Sequence, residues 1–173
     1  MSDIVYSQIP TDNFSTVKLP DDFYFWLWRP ALLKIIPPGL SSRRILHWLC
    51  HWLHLFYNKD YAVLYIVKNN KILHRSCIIP SSIRCLFMDK KDICVSMVWT
   101  DPKYRRQGLA TSALRQVMFL MKKPGRVFWY ITQDSNHASS WACLKAGFKP
   151  VGKAKRVRIK GYFFEQLTLE IFK

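Results

Sequence analysis

Arg105, Arg106, Gln107, Gly108, Leu109, Ala110 and Thr111 lie between a β-rich run and a run with helical spacing, inside the stretch DPKYRRQGLATSALRQVMF. A strand that ends at Thr100, turns through these residues and enters a helix near Leu109 presents successive unpaired backbone N–H groups at the positive end of that helix. Such a turn binds phosphate. Gly108 lets the backbone approach an oxygen closely, and Arg105 and Arg106 add cations at the same place. The spacing Arg105-x-x-Gly108-x-Ala110 lacks the further glycines of the dinucleotide fingerprint and the lysine-serine pair of the Walker loop. Neither NAD nor ATP is the expected ligand.

The elements around the turn follow from pattern. ICVSMVW reads as the strand before it, and a helix is expected from Leu109 to Lys122, ended by Pro124-Gly125. Upstream, SSRRILHWLCHWLHLFY (residues 41–57) opens on a serine cap and keeps apolar residues at helical spacing, which predicts a helix. YAVLYIVKNNKILHRSCII has two β-rich runs around Asn69 and Asn70 and predicts a hairpin. Downstream, RVFWYIT reads as a strand, NHASSWACLKAG as a short helix closing on Gly147, and GYFFEQLTLEIFK as a final strand. The order predicts a mixed α/β sheet. With 173 residues, half of them apolar, the chain is expected to form a single domain over 1–173.

The formal charge is +16, from 27 Lys and Arg against 11 Asp and Glu, which favours polyanionic partners: nucleic acid, a membrane surface or phosphorylated small molecules. The opening MSDIVYSQIPTD carries acids and lacks the basic-then-apolar layout of a secretory leader, so export is not expected. Arg29, Pro30, Lys34, Pro37 and Pro38 interrupt the most apolar region, so a spanning helix is not expected and the protein is read as soluble or at most peripheral. Five cysteines without C-x-x-C spacing read as reduced thiols of a cytoplasmic protein rather than a disulfide framework or zinc ribbon.

Two ordered motifs carry a resemblance to a family, the GCN5-related N-acetyltransferases (GNAT). VWTDPKYRRQGLATSAL is similar to their acetyl-CoA motif, with Arg105, Gly108 and Ala110 on its Arg/Gln-x-x-Gly-x-Gly/Ala positions. NHASSWACLKAGFKPVG places Asn136, Ser139, Lys145, Gly147 and Phe148 on the Asn-x-x-Ala/Ser and Lys-x-Gly-Phe positions of the second. The resemblance covers residues 92 to 173. It implies an α/β (α+β) fold with a mixed, mostly antiparallel sheet, flanking helices and a splayed central strand pair. It also implies acceptor-side helices over 1–60 and the sheet with the cofactor motifs over 61–173. Acetyl-CoA is the implied cosubstrate, with no metal. The backbone of Val98, Trp99 and Thr100 would pair with the pantetheine arm, and the amides of Arg106 to Thr111 would hold the pyrophosphate beside Arg105. Asn136 would approach pantetheine, and Lys145 belongs to the second cofactor motif. The acceptor amine would attack the thioester directly, in the gap between the two strands.

That chemistry needs a neutral amine, a polarised carbonyl and a proton for the departing thiolate. Members of the family use a tyrosine two positions before the motif lysine for the last task; here that residue is Cys143. A thiol with a pKa of about 8.5 can donate a proton but is shorter than a phenol, and the competing reading is a small buried apolar residue. Tyr162 and Tyr104 are substitutes. For a general base, Asp92 would sit about 26 Å from the thioester at 3.3 Å per residue, which is too far. Asp134 and His137, just after the YIT strand, are closer, with capping of the next helix as the alternative use of Asp134. Deprotonating an amine of pKa about 10.4 at pH 7 costs about 4.6 kcal/mol, against about 1.4 for an amine near 8. Scarce carboxylates therefore favour an amino sugar or an aminoacyl ester over a protein lysine.

The resemblance places acceptor specificity in the first third. Trp26 and Trp28 beside Arg29 suit stacking on a sugar or base and pairing with phosphate; the alternative is a core segment with one snorkelling arginine. The segment also resembles members associated with surface-polysaccharide synthesis, which act on nucleotide-linked amino sugars. His47, Cys50, His51 and His54 form one helical stripe of metal-ligand types. Neighbours on a single straight helix cannot all surround a tetrahedral ion, so the stripe is read as a polar face lining the acceptor cleft or open to solvent. Ile45, Leu49, Trp52 and Phe56 alternate with it, which leaves sheet packing and a membrane-surface role for a lipid-linked substrate as two uses. The run GKAKRVRIK, with Arg156, Arg158 and Lys160 on one strand face, reads as a charged edge strand, a diphosphate clamp or a nucleic-acid track. Two classes stand: an acetyltransferase of a small-molecule amine, foremost a nucleotide sugar, and an acetyltransferase of aminoacyl-tRNA or another macromolecule, or an inactive acyl-CoA-binding module.

Overall fold

The structure, a computed structural model, describes residues 3–9, 16–42, 45–157 and 166–172. The chain runs β1 (Asp3–Gln8), β2 (Tyr24–Trp28), α1 (Ile45–Trp52), β3 (Ala62–Lys68), β4 (Lys71–Pro80), β5 (Ile93–Thr100), α2 (Leu109–Leu120), β6 (Phe128–Gln133), α3 (His137–Lys145), β7 (Lys149–Val157) and β8 (Gln166–Ile171). These strands form one sheet in the order β2-β3-β4-β5-β6-β1-β7-β8. β5 and β6 pair in parallel, and the other neighbours are antiparallel.

Local chemistry explains most of this. Asn69 and Asn70 both take positive φ, 47° and 60°, as a two-residue hairpin turn between β3 and β4 requires. β3 is buried along nearly its whole length, with alternate residues serving two cores. Leu64 and Ile66 join Leu114, Val117 and Met118 of α2 on one face, and Val63, Tyr65 and Val67 join Trp28, Phe56 and Tyr61 on the other.

The first sixty residues differ from expectation. β1 and β2 are strands where helices were implied; the aromatic run YFWLW suits a pleated, half-buried edge better than a helix. β1 also inserts between β6 and β7, far from its sequence neighbours. The helix expected over 41–57 spans Ile45–Trp52 only. It stops because His54 takes a left-handed φ of 56°, and the Leu55 amide donates back to the Cys50 carbonyl at 2.9 Å, a helix-ending bond pattern.

A charged group is sealed inside. Arg126 is 1% exposed; its Nε donates to the Lys91 carbonyl (2.6 Å), its Nη1 to the Met121 carbonyl (2.7 Å), and its Nη2 to the Asp60 carboxylate. Lys123 reaches the same carboxylate at 2.7 Å. Burial pushes the Asp60 carboxyl up, but the hydrogen bonds and charges of Lys123 and Arg126 outweigh it and hold the pKa below the ordinary range. Asp92 is likewise structural: it accepts from Val127 N, Trp129 Nε1 and Asp89 N at 2.9 to 3.0 Å, tying the start of β5 to β6. All five cysteines are free thiols. Among the described residues no helix is long and apolar enough to cross a membrane.

Candidate active site

β5 and β6 share register at Ile93↔Phe128, Cys94↔Trp129 and Val95↔Tyr130, and the ladder then stops. Beyond that point each arm is held by its outer neighbour. Ile131, Thr132 and Gln133 pair with Val5, Ile4 and Asp3 of β1, while Trp99 and Thr100 pair with Arg75 and His74 of β4. A register shift between Arg75 and Cys77, with Met97 opposite at a φ of 50°, bends β5 away at the fork. The splayed central pair implied by the sequence motif is present.

The turn beyond β5 is built from its own residues. Asp101 accepts from Lys103 N at 3.0 Å and pairs with Lys71 at 2.9 Å, starting a 3₁₀ turn over Pro102–Tyr104. Arg106 and Gly108 follow at positive φ, 65° and 78°. Gly108 is the N-cap of α2 and no side chain caps the helix; the first internal bond runs from Ser112 N to the Gly108 carbonyl at 2.9 Å. The amides of Leu109, Ala110 and Thr111 therefore have no partner within the helix. Among the described residues, no atom beyond Gly108's own neighbours in the chain lies within 4 Å of where its Cβ would stand. Arg105, Arg106 and Gln107 are exposed around this opening, with Arg105 Nε donating to the Thr100 carbonyl at 3.2 Å. The arrangement fits a pyrophosphate: unpaired amides, a helix N-terminus and two cations face space that the chain leaves open.

His74, which sequence reading passed over, braces the same strand. It is fully buried, with Nδ1 2.8 Å from Thr100 Oγ1 and Nε2 2.8 Å from Ser76 Oγ. Burial, then the nearby Arg75 charge, lowers its pKa to about 3, so it stays neutral and works as a strut for the end of β5. Only its position in a hairpin strand beside the motif strand signals it.

α3 starts at the same end of the sheet as α2. Asn136 caps it, its Oδ1 accepting from Ser139 N at 3.2 Å, so the cap is Asn136 and not Asp134. Thr111 Oγ1 donates to the Ala142 carbonyl (3.3 Å) and Arg115 Nη2 to the Lys145 carbonyl (2.7 Å), locking α2 to α3. Asp134 and His137 are exposed just past the end of β6. Lys145 closes the nine-residue α3 and so stands about 12 Å along the axis from the fork end, away from the turn. Cys143 is wholly enclosed in the core with Tyr130 and Phe148, and burial pushes its thiol well up. That favours its reading as a small buried residue over that as a proton donor. Burial likewise raises Tyr130 to about 12, a hydrogen bond with Ser139 offsetting part of the shift. Tyr162, Arg158 and Lys160 lie outside the described residues.

On the acceptor side the tryptophan group is divided. Trp26 and Trp28 share the sheet face away from α2, where with Ile35, Ile36 and Pro38 they line a shallow groove of about 460 Å3. Arg29 points the other way, its Nη2 3.9 Å from Met121 Sδ, because neighbouring residues of an extended chain face opposite sides. The cations on the tryptophan face are Lys34, which lines the groove, and Arg75. Register places Trp26, Tyr65, Arg75 and Trp99 in one row across four strands. Trp26 stacks on Tyr65 at 5.0 Å, and the Arg75 guanidinium lies over Trp99 at 4.9 Å. Arg75 Nη1 donates to the Gly39 carbonyl. Two buried atoms beside the fork, Arg75 Nε and Ser96 Oγ, have no hydrogen-bond partner among the described residues. The histidine stripe is divided: His47 stacks on Tyr61 at 5.7 Å and His51 lies 6.3 Å from the same ring, both half-buried, while His54 is exposed to solvent. Among the described residues no group of three His, Cys, Asp or Glu is placed to hold a metal.

The profile of the Acetyltransferase (GNAT) family matches residues 21–148, and the chain belongs to this family. No curated protein matches the sequence significantly. Among solved structures, a GNAT-family acetyltransferase from Colwellia psychrerythraea is similar at 13% identity and a TM-score of 0.55, over 86% of this chain and 52% of that one. A GCN5-related N-acetyltransferase from Sphaerobacter thermophilus is similar at 15% identity and 0.54, over 86% and 48%. A tandem GNAT protein from the clavulanic acid biosynthesis pathway is similar at 11% and 0.55, over 86% and 50%. The chain thus spans about half the length of these solved relatives.

Proposed function

We propose that this domain moves an acetyl group from acetyl-CoA to a primary amine by direct attack at the fork between β5 and β6. The observation that carries this is the uncapped start of α2, with Gly108 at φ 78°, standing at the mouth of that fork. Acetyl-CoA bound there supplies an activated acetyl thioester. The amides of Arg106 to Thr111, with Arg105, hold the pyrophosphate; Val98 to Thr100 offer the backbone edge that β6 leaves unpaired to the pantetheine arm. Asp134 and His137 are the groups we assign to receive the amine proton. Free thiols and the acetyl-CoA supply favour a cytoplasmic setting.

Asn136 separates a capping role from a cofactor role. Asn136→Asp keeps an N-cap of equal quality but removes the amide donor. The expected result is an unchanged thermal midpoint with acetyl-CoA affinity reduced about three- to tenfold, the worth of one hydrogen bond. Unchanged affinity in calorimetric titration would leave Asn136 a cap alone.

For the acceptor, the row from Trp99 to Trp26 supports a nucleotide-linked amino sugar. Arg75 is one strand from β5, about 5 Å, and Trp26 is three strands away, about 14 Å. With its amine at the fork, such a substrate brings its diphosphate near Arg75, which has no carboxylate partner among the described residues, and its base near Trp26. The test is mass-spectrometric detection of acetyl gain on UDP- and dTDP-linked amino sugars. Arg75→Met is expected to raise KM for the sugar nucleotide about 10- to 100-fold, the worth of a charged hydrogen bond, with less change in kcat. Acetylation with KM unaltered in Arg75→Met would remove this placement. A second reading, a macromolecular amine such as aminoacyl-tRNA, is favoured by exposed Lys153, Lys155 and Arg156 on β7; affinity falling steeply with salt would select it.

A further inference from the structure

α1 is turned inside out for a helix on a soluble domain. Its imidazoles, His47 and His51, pack on Tyr61, while Leu46 (58%), Leu49 and Leu53 (64%) face outward. A helix on a globular surface ordinarily buries its aliphatic stripe. Here no residue of the helix is buried. Beside it the turn closed by the Ala31↔Lys34 bridge lifts Leu32 (68%) and Leu33 (96%) away from the sheet. Trp48 Nε1, donating to the Ala31 carbonyl at 3.0 Å, fixes turn and helix as one surface.

Charge selects what covers this surface. From Phe23 to Lys59 the chain carries five Lys and Arg and no Asp or Glu. Of the acids bordering this segment, Asp60 pairs with Arg126 and Lys123 and Asp22 lies 3.9 Å from Lys68, while Asp21 is exposed just before it. A second copy of the chain docked by a two-fold contact would set cations against the same cations, with no acid in the segment to receive them. Nucleic acid offers nothing to the outward leucines. An anionic lipid surface matches both features, taking the leucines into the headgroup boundary and pairing with Lys34, Lys59 and Lys90 at the rim.

We propose that the turn over residues 31–36 and the outer face of α1 form a peripheral membrane-binding surface for bilayers rich in anionic lipid. This reading does not rest on the acceptor's identity, although Leu33, Lys34, Ile35 and Ile36 of the turn also line the groove beside Trp26. The test is co-sedimentation of the full chain with vesicles of phosphatidylcholine alone and of equimolar phosphatidylcholine and phosphatidylglycerol. Binding to the mixed vesicles is expected to be at least tenfold tighter than to the neutral ones. The triple variant Leu32→Ser, Leu46→Gln, Leu53→Gln is expected to bind the mixed vesicles at least tenfold more weakly, as apolar insertion is lost. These side chains are exposed, so the thermal midpoint should hold, and that midpoint is the check on folding. Lys59→Glu with Lys90→Glu, which touches no leucine, should reduce the preference for anionic vesicles. Wild-type protein that ignores both vesicle types overturns the proposal. So does a triple variant that binds as wild type, since charge alone would then suffice, and so does a dimer in light scattering that the triple variant makes monomeric.

Discussion

Gly108→Val is expected to weaken acetyl-CoA binding at least about 30-fold, or about 2 kcal/mol, in calorimetric titration. A β-branched residue does not sit at φ 78°, and holding it there costs about 1–3 kcal/mol. The chain has two ways out, and both damage the site. If the turn keeps its shape, the new side chain stands in the space that the described residues leave open and where the pyrophosphate is assigned. If the turn relaxes, the amides of Arg106 to Thr111 no longer converge. The thermal midpoint should fall by roughly 3–10 °C, since Gly108 is exposed and no core contact is lost. Wild-type affinity in a folded Gly108→Val protein would move the phosphate site away from this turn.

The largest stability effect is expected at Asp60. Asp60→Asn leaves the sealed Arg126 guanidinium with two carbonyls and no counter-charge, and breaking a buried pair from one side costs about 3–5 kcal/mol. For a chain of this length that corresponds to roughly 6–15 °C in Tm. The pH dependence has a fixed sign. Asp60 is held below its unfolded pKa, so its contribution is complete above about pH 4 and is lost as pH falls through the folded-state value. Urea denaturation of the wild type should therefore show an acid limb below about pH 4 that is flatter in Asp60→Asn. Equal stability of the two proteins at pH 7 would show that the carbonyls and the neutral amide suffice for Arg126.

What could be read in the sequence was what short segments dictate. Asn69-Asn70, the turn to Gly108 and the Asn136 helix start each depend on a few residues whose backbone preferences are strong, and each stands where expected. The segment from Tyr24 to Trp28 is a strand where a helix was implied, because an aromatic run carries no unique period and packing decides between helix and strand there. His54 ended α1 early by a single left-handed φ that composition does not announce. Arg29 and Arg75 exchanged roles for a similar reason: the face a side chain takes is set by strand register, and Arg75 reaches Trp99 only through pairings across β4 and β5. The burial of Cys143 is a tertiary outcome, as is the bracing of Thr100 by His74.

β1 holds the splayed arm of β6 by pairing Asp3 with Gln133, residues 130 positions apart (133 − 3). Closing so long a loop is slow and entropically expensive compared with forming the β3–β4 hairpin. The local half of the sheet can therefore assemble early, while the fork waits for β1 to meet segments made more than a hundred residues after it. Until then β6 has three paired residues on one side and an open edge on the other, the state most prone to pairing with a foreign strand. Competence to hold the donor thus arrives last, as a property of the completed topology.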